Sequence, residues 1–508
     1  MNKKFLLFGF IIILFSCTHQ ENSRLNFALS KAEGNRHEIE TVLKHYKNDP
    51  LKLKAATYLI ENMPFHFTKE EFFLSSRNEK YIPDITKFRD KYAVKKHCDS
   101  ILKKTYQLVS LKRSDISNIK SDYLIENIEL AFSIREKPWV KEIPFDDFCR
   151  YILPYRAQIE KPYSLRRNFI KHYLPLLDSI HPQSALDACL IIHQQLKKEI
   201  RYATTGSPLY PTIEETYKAG FGDCSGLCNL TVAIMRSVGI PVTVDHTLWV
   251  KMNLGHSWCS VLNDGLFYCF NPGETDPVEY GELLNNTYNR VPAKVYRDRF
   301  DPALQSPISN KKDDGYITYL KNRLCYDVTN EYLGKTIDIV NPVEKEYSNK
   351  SSIVYLCTFN CNSWQPLAIG EKIENDYIFK NVVGDNIFII ADSPDGQSLR
   401  FVSAPFYVDT VGNIKKLIPD RQENIRYAFS VKRYKLFGKY GLYFWDIETG
   451  SFSKVNLCSK TLDTWIYENI PSDALLLFYI PGANRNRPGF FIEQSEIRPW
   501  KKEIPINC

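Results

Sequence analysis

The stretch Gly222–Gly226 reads Gly-Asp-Cys-Ser-Gly and places a cysteine at the start of an apolar repeat. Apolar residues then recur at helical spacing, and a glycine and a proline end the run: Leu227, Leu230, Ile234, Val238, Gly239 and Pro241. The pattern predicts a helix with Cys224 in its first turn. Helix N-termini favour a thiolate and offer N–H groups to an oxyanion. Cys224 is therefore a candidate nucleophile, and a small buried core cysteine is the alternative.

A β-hairpin is predicted directly after this helix. Gly255–Trp258 opens its first strand, Asn263-Asp264-Gly265 is its turn, and Phe270-Asn271-Pro272 closes its second strand. A two-residue Asn263–Asp264 loop pairs His256 with Asn271, whereas other turns of this tripeptide shift the register by one or two residues. An asparagine oxygen can hold an imidazole N–H and direct the other ring nitrogen at a thiol. Taken singly, the two are more often a core or solvated histidine and a turn asparagine, but with Cys224 they favour catalysis.

A Gly-x-Cys helix start, a His-x-Trp strand and an Asp or Asn before Pro resemble the transglutaminase-like superfamily. The resemblance covers about residues 185–280, roughly a fifth of the chain. It implies a papain-like fold, in which the nucleophile helix packs on an antiparallel sheet. It also implies that Cys224 is the nucleophile, His256 the base and Asn271 the orienting residue. The family more often has aspartate at the third position, so Asn271 lacks a negative charge that would stabilise imidazolium.

Bacterial members of this family are often peptidases or amidases, so the resemblance implies a cysteine hydrolase that acts on extracytoplasmic peptide or glycopeptide through a thioester. The backbone N–H of Cys224 is one expected oxyanion donor; candidates for the second are Gln194, Gln195 and the Tyr202–Thr205 loop. A protein cross-linking acyltransferase with the same residues is one alternative. A catalytically inactive surface protein that binds glycan or protein is another. We expect no cofactor and no metal, because no cysteines and histidines have zinc spacing and a Cys224–Cys228 pair lacks other ligands.

The N-terminus has the pattern of a targeting segment. Lys3 and Lys4 precede the apolar run Phe5–Phe15, which is short for a spanning helix. Leu14-Phe15-Ser16-Cys17 resembles a bacterial lipoprotein box, which implies a signal peptide over 1–16, lipidation of Cys17 and a tether over 17–24; an ordinary signal peptide or membrane anchor is the alternative. We therefore expect a protein of the bacterial cell envelope, anchored by lipid to a membrane, with the outer membrane favoured.

Charge and cysteine content bear on two further classes of protein, nucleic-acid-binding proteins and disulfide-rich proteins. The formal net charge of +7 falls to about +5 without Lys3 and Lys4, which over 508 residues gives no indication of a nucleic-acid partner. The 13 cysteines show no disulfide framework, so mostly buried free thiols are expected even in an exported protein.

The chain predicts an α+β multidomain protein. We expect a helical domain at 25–180 with helices near 84–110 and 122–134, a transglutaminase-like catalytic domain at 181–300, a β-sandwich at 330–420 and a small β-rich domain at 425–508. Three aromatic residues of the C-terminal β-domains could stack on carbohydrate if they are exposed: Tyr434, Tyr443 and Trp445.

Overall fold

The structure is a computed structural model. It describes residues 24–103, 106–250, 254–279, 282–284, 291–302, 324–342, 353–360, 363–394, 398–434, 440–479 and 490–492. The predicted signal peptide and the lipidation candidate Cys17 lie outside these ranges. Within them, no helix combines the length and the apolar character that crossing a membrane requires.

The helices concentrate in the first half of the chain. They are α1 (24–31), α2 (Arg36–His45), α3 (Pro50–Asn62), α4 (Lys91–Leu102), α5 (Ser121–Phe132), α6 (Pro138–Lys141), α7 (Phe145–Tyr151), α8 (Arg166–Ile180), α9 (Ala185–Glu199), α10 (Ile213–Ala219), α11 (Cys224–Ser237), α12 (Thr329–Leu333) and α13 (Val431–Tyr434). Local sequence sets several starts. Asp49, which directly precedes Pro50, caps α3 by accepting a hydrogen bond from the Lys52 N–H. Ser184 caps α9, as the sequence predicts.

The N-terminal region also contains an antiparallel sheet, which the sequence analysis did not predict. Its strands are β1 (Phe67–Ser75), β2 (Lys80–Tyr81) and β3 (Tyr106–Ser114), in the order β2-β1-β3. The predicted helix over 84–110 is therefore wrong beyond α4. β3 pairs with β1 along all nine residues, and this long-range pairing decides the conformation of a segment whose local pattern is ambiguous.

A six-stranded sheet forms the centre of the middle region. Its strands are β6 (Val242–Trp249), β7 (Gly255–Asn263), β8 (Leu266–Phe270), β9 (Val278–Glu279), β10 (Pro292–Asp298) and β11 (Cys325–Asp327). Their order is β11-β10-β6-β7-β8-β9, and neighbouring strands are antiparallel. α11 packs against one face, where Leu230 and Ile234 join Val244 and Val261 in the core. This is the expected arrangement of a nucleophile helix on an antiparallel sheet.

One hydrophobic core unites the N-terminal helices with this helix-and-sheet unit. The cluster runs from Ala28 in α1 to Phe300 and includes the buried face of α11. Polar contacts reinforce the junction, since Trp139 Nε1 donates to the Val238 carbonyl at 2.9 Å and Arg166 donates to the Arg236 carbonyl at 3.0 Å. The described residues of 25–180 and 181–300 are therefore packed as one body.

The C-terminal half consists of β-sheets. Its strands are β12 (Ile337–Pro342), β13 (Ile353–Asn360), β14 (Ser363–Ile373), β15 (Asp376–Val382), β16 (Asn386–Asp392), β17 (Arg400–Phe401), β18 (Phe406–Val408), β19 (Ile414–Lys416), β20 (Asp420–Ser430), β21 (Gly441–Asp446), β22 (Ser451–Lys454), β23 (Asn456–Lys460), β24 (Thr464–Ser472), β25 (Leu476–Tyr479) and β26 (Phe490–Ile492). The strands of 337–416 form one eight-stranded sheet rather than the two sheets of a separate sandwich. One of its faces instead packs against Trp445 and Leu477 of the following unit.

This packing corrects the carbohydrate prediction at one position. Trp445 is only 3% exposed and belongs to the core, so it cannot stack on a sugar. Tyr443 is half-buried, and the side chain of Tyr434 lies outside the described part of the structure.

Ten cysteines fall within the described residues, and all are free thiols: Cys98, Cys149, Cys189, Cys224, Cys228, Cys259, Cys269, Cys325, Cys357 and Cys458. Most of them are buried, as expected from their apolar surroundings, and Cys458 is exposed. Cys17, Cys361 and Cys508 lie outside the described ranges.

Candidate active site

Cys224 is the first residue of α11, and the residues around it fix that start. A short parallel pair of β4 (Arg201–Tyr202) and β5 (Phe221–Gly222) leads into the helix. Asp223 is the N-cap, and its Oδ1 accepts a hydrogen bond from the Gly226 N–H at 2.9 Å. A Cβ at Gly226 would lie 3.1 Å from Cγ of Pro211, so this turn has room only for glycine without a local shift. The Gly-Asp-Cys-Ser-Gly stretch thus holds the thiol at a defined position.

The surroundings of the Cys224 thiol favour its neutral form. The residue is half-buried, and this burial raises the pKa of its thiol. The neighbouring Asp223 carboxylate raises that pKa as well, whereas hydrogen bonds from the backbone N–H groups of Ser257 and Ser225 lower it. Burial and the Asp223 carboxylate thus oppose the thiolate that the helix start is expected to favour. This thiol needs a base to become a nucleophile.

The contact with Ser257 places the thiol beside the first residues of β7. Ser257 directly follows His256, and both lie ahead of Cys259, where the pairing of β7 with β8 begins. The sulfur therefore lies next to the strand segment that carries the histidine. The two sequence motifs, 32 residues apart at Cys224 and His256, meet at the start of β7, an interior strand of the sheet.

The hairpin brings His256 and Asn271 together, although not in the predicted register. Cys259 pairs with Phe270 and Asn263 with Leu266, so the two-residue loop is Asp264–Gly265. If this register continues, Asn271 lies opposite Trp258, which is two residues from the predicted partner His256. His256 and Asn271 are thus diagonal neighbours on the same face. Their side chains are in contact, with His256 Nε2 3.0 Å from Asn271 Oδ1.

A threonine fixes the orientation of the Asn271 amide. Asn271 Nδ2 donates to Thr275 Oγ1 at 3.1 Å, and the Asn271 backbone N–H donates to the same oxygen at 3.0 Å. With Nδ2 engaged there, Oδ1 faces the imidazole. Because Oδ1 can only accept, His256 Nε2 carries the hydrogen and Nδ1 keeps the lone pair. Asn271 is 2% exposed, so its end of this bond is shielded from water.

Two tryptophans hold the plane of the His256 ring. The Trp249 ring stacks on it with centroids 6.1 Å apart, and the Trp258 ring does so at 5.7 Å. Trp258 is itself anchored, because its Nε1 donates to the Tyr332 hydroxyl at 2.8 Å. That hydroxyl in turn donates to buried Asp245 at 2.5 Å. In the sequence Trp258 is recognisable only as a motif residue, and nothing local indicates this support.

A second histidine supports the loop that follows Asn271. His193 of α9 is fully buried, and its Nε2 accepts a hydrogen bond from the Gly273 N–H at 3.1 Å. Its Nδ1 lies 3.1 Å from Asp276 Oδ1, which identifies Nδ1 as the protonated nitrogen. Burial lowers the pKa of His193, which favours the neutral form. His193 lies 78 residues from Asn271 along the chain, so the local sequence gives no signal of this contact.

The candidates for a second oxyanion donor fare differently. The amide groups of Gln194 and Gln195 are engaged by acidic side chains, at 2.9 Å from Asp276 and 2.5 Å from Glu199 respectively. The Tyr202–Thr205 loop instead lies beside the helix start, since the Ala203 N–H donates to the Gly222 carbonyl at 2.9 Å. The loop remains a prediction for this role.

The other cysteines near the site are packed in the interior. Cys228 is fully buried, one turn into α11, and the Cys259 thiol lies 3.9 Å from its carbonyl oxygen. In the observed register Cys259 faces Phe270 rather than Cys269, and the Cys269 thiol contacts the Tyr332 hydroxyl at 2.7 Å.

Residues 176–272 match the family model described as "Transglutaminase-like superfamily". This part of the chain is a transglutaminase-like domain. The matched range contains Cys224, His256 and Asn271, and it supports an enzyme of the cysteine hydrolase type. Comparison with curated proteins finds no match.

Among solved structures, this chain is similar to a protein described as "a Putative Cysteine Protease from Cytophaga hutchinsonii". The two are 15% identical, with a TM-score of 0.22, and the alignment covers 32% of this chain. It spans 60% of the other protein, which is less than two thirds of its length.

Proposed function

We propose that the transglutaminase-like domain is a lipid-anchored peptidase or amidase that acts through Cys224, His256 and Asn271. The observation that carries this proposal is the oriented His256–Asn271 pair next to a thiol that needs a base. The amide oxygen holds Nε2–H, so Nδ1 is the nitrogen that can accept the thiol proton. The substrate is an amide bond of extracytoplasmic peptide or glycopeptide.

Acylation begins when His256 Nδ1 takes the proton from Cys224 Sγ. The thiolate attacks the amide carbonyl carbon, and the carbonyl oxygen becomes an oxyanion. The Cys224 N–H, at the first position of α11, has no partner within its helix and supplies one donor to this oxygen. The imidazolium then gives its proton to the amide nitrogen, the C–N bond breaks, and a thioester remains on Cys224.

Deacylation reverses the roles of the same groups. Water attacks the thioester while His256 removes one of its protons, and the C–S bond breaks to release a carboxylic acid and the thiol. Asn271 keeps Nε2–H in place throughout, so the ring does not rotate while its charge changes. An amine in place of water would give acyl transfer.

Thiol alkylation measured residue by residue tests the nucleophile. The full chain is treated with iodoacetamide at neutral pH, and peptide mass spectrometry gives a rate for each cysteine. Cys224 is expected to react faster than exposed Cys458, and His256→Ala is expected to remove the advantage. If native Cys224 reacts no faster than it does in the denatured chain, the enzyme proposal fails and an inactive binding protein is favoured.

Two further measurements test the remaining parts of the proposal. Peptide libraries digested with and without an added primary amine distinguish a carboxylate product from an amide product, and the hydrolase predicts the carboxylate. Incorporation of labelled palmitate should occur in the parent and be lost in Cys17→Ala. Incorporation that is unchanged in this variant, or absent in both, contradicts the lipid anchor at Cys17.

A further inference from the structure

A second group of reactive side chains lies outside the triad. His246 is on β6, Asp298 ends β10 and Cys325 begins β11, so the three come from adjacent strands of the central sheet. Tyr296 pairs with His246, and Asp298 pairs with Cys325. Since Tyr296 and Asp298 are two residues apart on one strand, all three side chains leave the sheet on the same face.

Their ligand atoms converge on one point. His246 Nε2 lies 3.2 Å from Asp298 Oδ1, Cys325 Sγ lies 3.2 Å from that same oxygen, and Sγ lies 3.6 Å from Nε2. In a linear chain of hydrogen bonds the first and last atoms would lie apart. Here the His246 nitrogen, the Asp298 oxygen and the Cys325 sulfur each contact both of the others. The side chains of His246 and Asp298 are 12% and 11% exposed, so the group is largely shielded from water.

The triangle has the dimensions of one face of a tetrahedral zinc site. Zinc binds sulfur, nitrogen and oxygen at about 2.3, 2.05 and 2.1 Å, which separates tetrahedral ligand atoms by roughly 3.4–3.6 Å. The observed separations of 3.2, 3.2 and 3.6 Å need shifts of only a few tenths of an ångström. We propose that His246, Asp298 and Cys325 bind one Zn²⁺ ion, with water as the fourth ligand.

The carboxylate has an additional partner that suits a ligand. Gln158 Nε2 donates to Asp298 Oδ2 at 2.7 Å, which leaves Oδ1 directed at His246 and Cys325. The Gln158 amide oxygen accepts a hydrogen bond from the Tyr210 hydroxyl at 3.4 Å. Outer partners of this kind fix ligand orientation and usually contribute 10–100-fold to metal affinity.

The proton balance of binding is defined. Zn²⁺ binds the thiolate of Cys325, the carboxylate of Asp298 and neutral His246, so the thiol proton leaves to the solvent. The two negative ligands then balance the charge of the ion. Because the ligands belong to three strands, the bound ion would tie β11 and β10 to β6, the strand that also pairs with β7.

The test uses the full chain, stripped of metal with a chelator. Zinc titration should give one site per chain, and Co²⁺ should produce a sulfur-to-cobalt charge-transfer absorption. Cys325→Ser is expected to abolish that absorption and weaken zinc binding by at least 100-fold. Gln158→Ala is expected to weaken it by about 10–100-fold while leaving one site. Cys458→Ser is the matched control and should change nothing.

Two controls keep the outcomes distinct. Cys224→Ser should retain the absorption; if it is lost there and kept in Cys325→Ser, the metal binds at the triad and the proposal is overturned. Failure of the parent to bind zinc, or unchanged affinity in both Cys325→Ser and Asp298→Asn, overturns it as well. Circular dichroism of the metal-free variants identifies any that misfold, and Asp298→Asn then replaces Cys325→Ser. None of these readouts depends on the proposed hydrolysis.

Discussion

Replacing Asn271 with alanine tests whether the Asn271 amide controls the charge state of the site. In the structure Oδ1 accepts one hydrogen bond from His256 Nε2 at 3.0 Å. Such a bond contributes about 0.5–1.5 kcal/mol when the ring is neutral and about 1.5–3 kcal/mol when it is charged. The difference, roughly 1–1.5 kcal/mol, is the amount by which Asn271 favours a thiolate–imidazolium pair.

That free energy corresponds to about a 5- to 15-fold change in the population of the pair. Asn271→Ala should therefore lower the alkylation rate of Cys224 at neutral pH about tenfold. Asn271→Asp restores the acceptor and adds a negative charge next to the imidazolium, so Cys224 should react at least as fast as in the parent. The assay is iodoacetamide labelling with peptide mass spectrometry, with exposed Cys458 as the internal reference.

Asn263→Ala is the matched control on the same hairpin. Its side chain accepts a hydrogen bond from the Leu186 N–H at 3.1 Å, so its loss perturbs the hairpin without touching the imidazole. The Cys224 rate should stay within twofold of the parent in this variant. An Asn271→Ala rate within twofold of the parent, or an equal fall in Asn263→Ala, would refute the reasoning.

Three stability predictions follow from buried groups. Burial lowers the pKa of His66 from 6.5 to about 3, so the unfolded chain binds more protons than the folded chain below pH 6.5. Urea titrations should therefore show the unfolding free energy falling by about 1.5–2 kcal/mol from pH 6.5 to 5. The fall should be smaller in His66→Gln. Gly239→Ala should lower the unfolding free energy by about 2–4 kcal/mol in urea titrations, because φ is +87° and a Cβ would lie 2.5 Å from Val140 Cγ2. Trp258→Phe should cost about 1–2 kcal/mol in the same assay, because the buried Tyr332 hydroxyl loses the hydrogen bond from the indole N–H at 2.8 Å. A pH slope unchanged in His66→Gln, or unfolding midpoints equal to the parent in the other two variants, would contradict these assignments.

Local sequence was sufficient to find the helix start and the hairpin of the candidate site. The turn tripeptide was recognised, but the loop was placed one residue too early. Asp264 and Gly265 have φ of +50° and +79°, and a turn with two positive φ values prefers glycine at the second position. This preference selects Asp264–Gly265 over Asn263–Asp264 and shifts the register by two residues. The contact survives because diagonal residues on one face also lie within reach.

The features that the sequence did not reveal depend on contacts distant along the chain. His193 reaches the Asn271 loop from a different helix, and β3 becomes a strand because it pairs with β1. The His246, Asp298 and Cys325 group spans 79 residues, so no spacing rule for metal ligands could identify it. Only the closed sheet gives these residues a common location.

The shared core has a consequence for how this domain can be moved or trimmed. The family match begins at residue 176, yet the buried face of α11 belongs to a hydrophobic core that extends back to Ala28. A chain cut at the boundary of the match would expose the surface that Trp139 and Arg166 cover at the end of α11. The nucleophile helix and the N-terminal helices therefore have to be inherited together. Recombination that exchanged residues 176–272 alone would deliver the triad without the support that positions it.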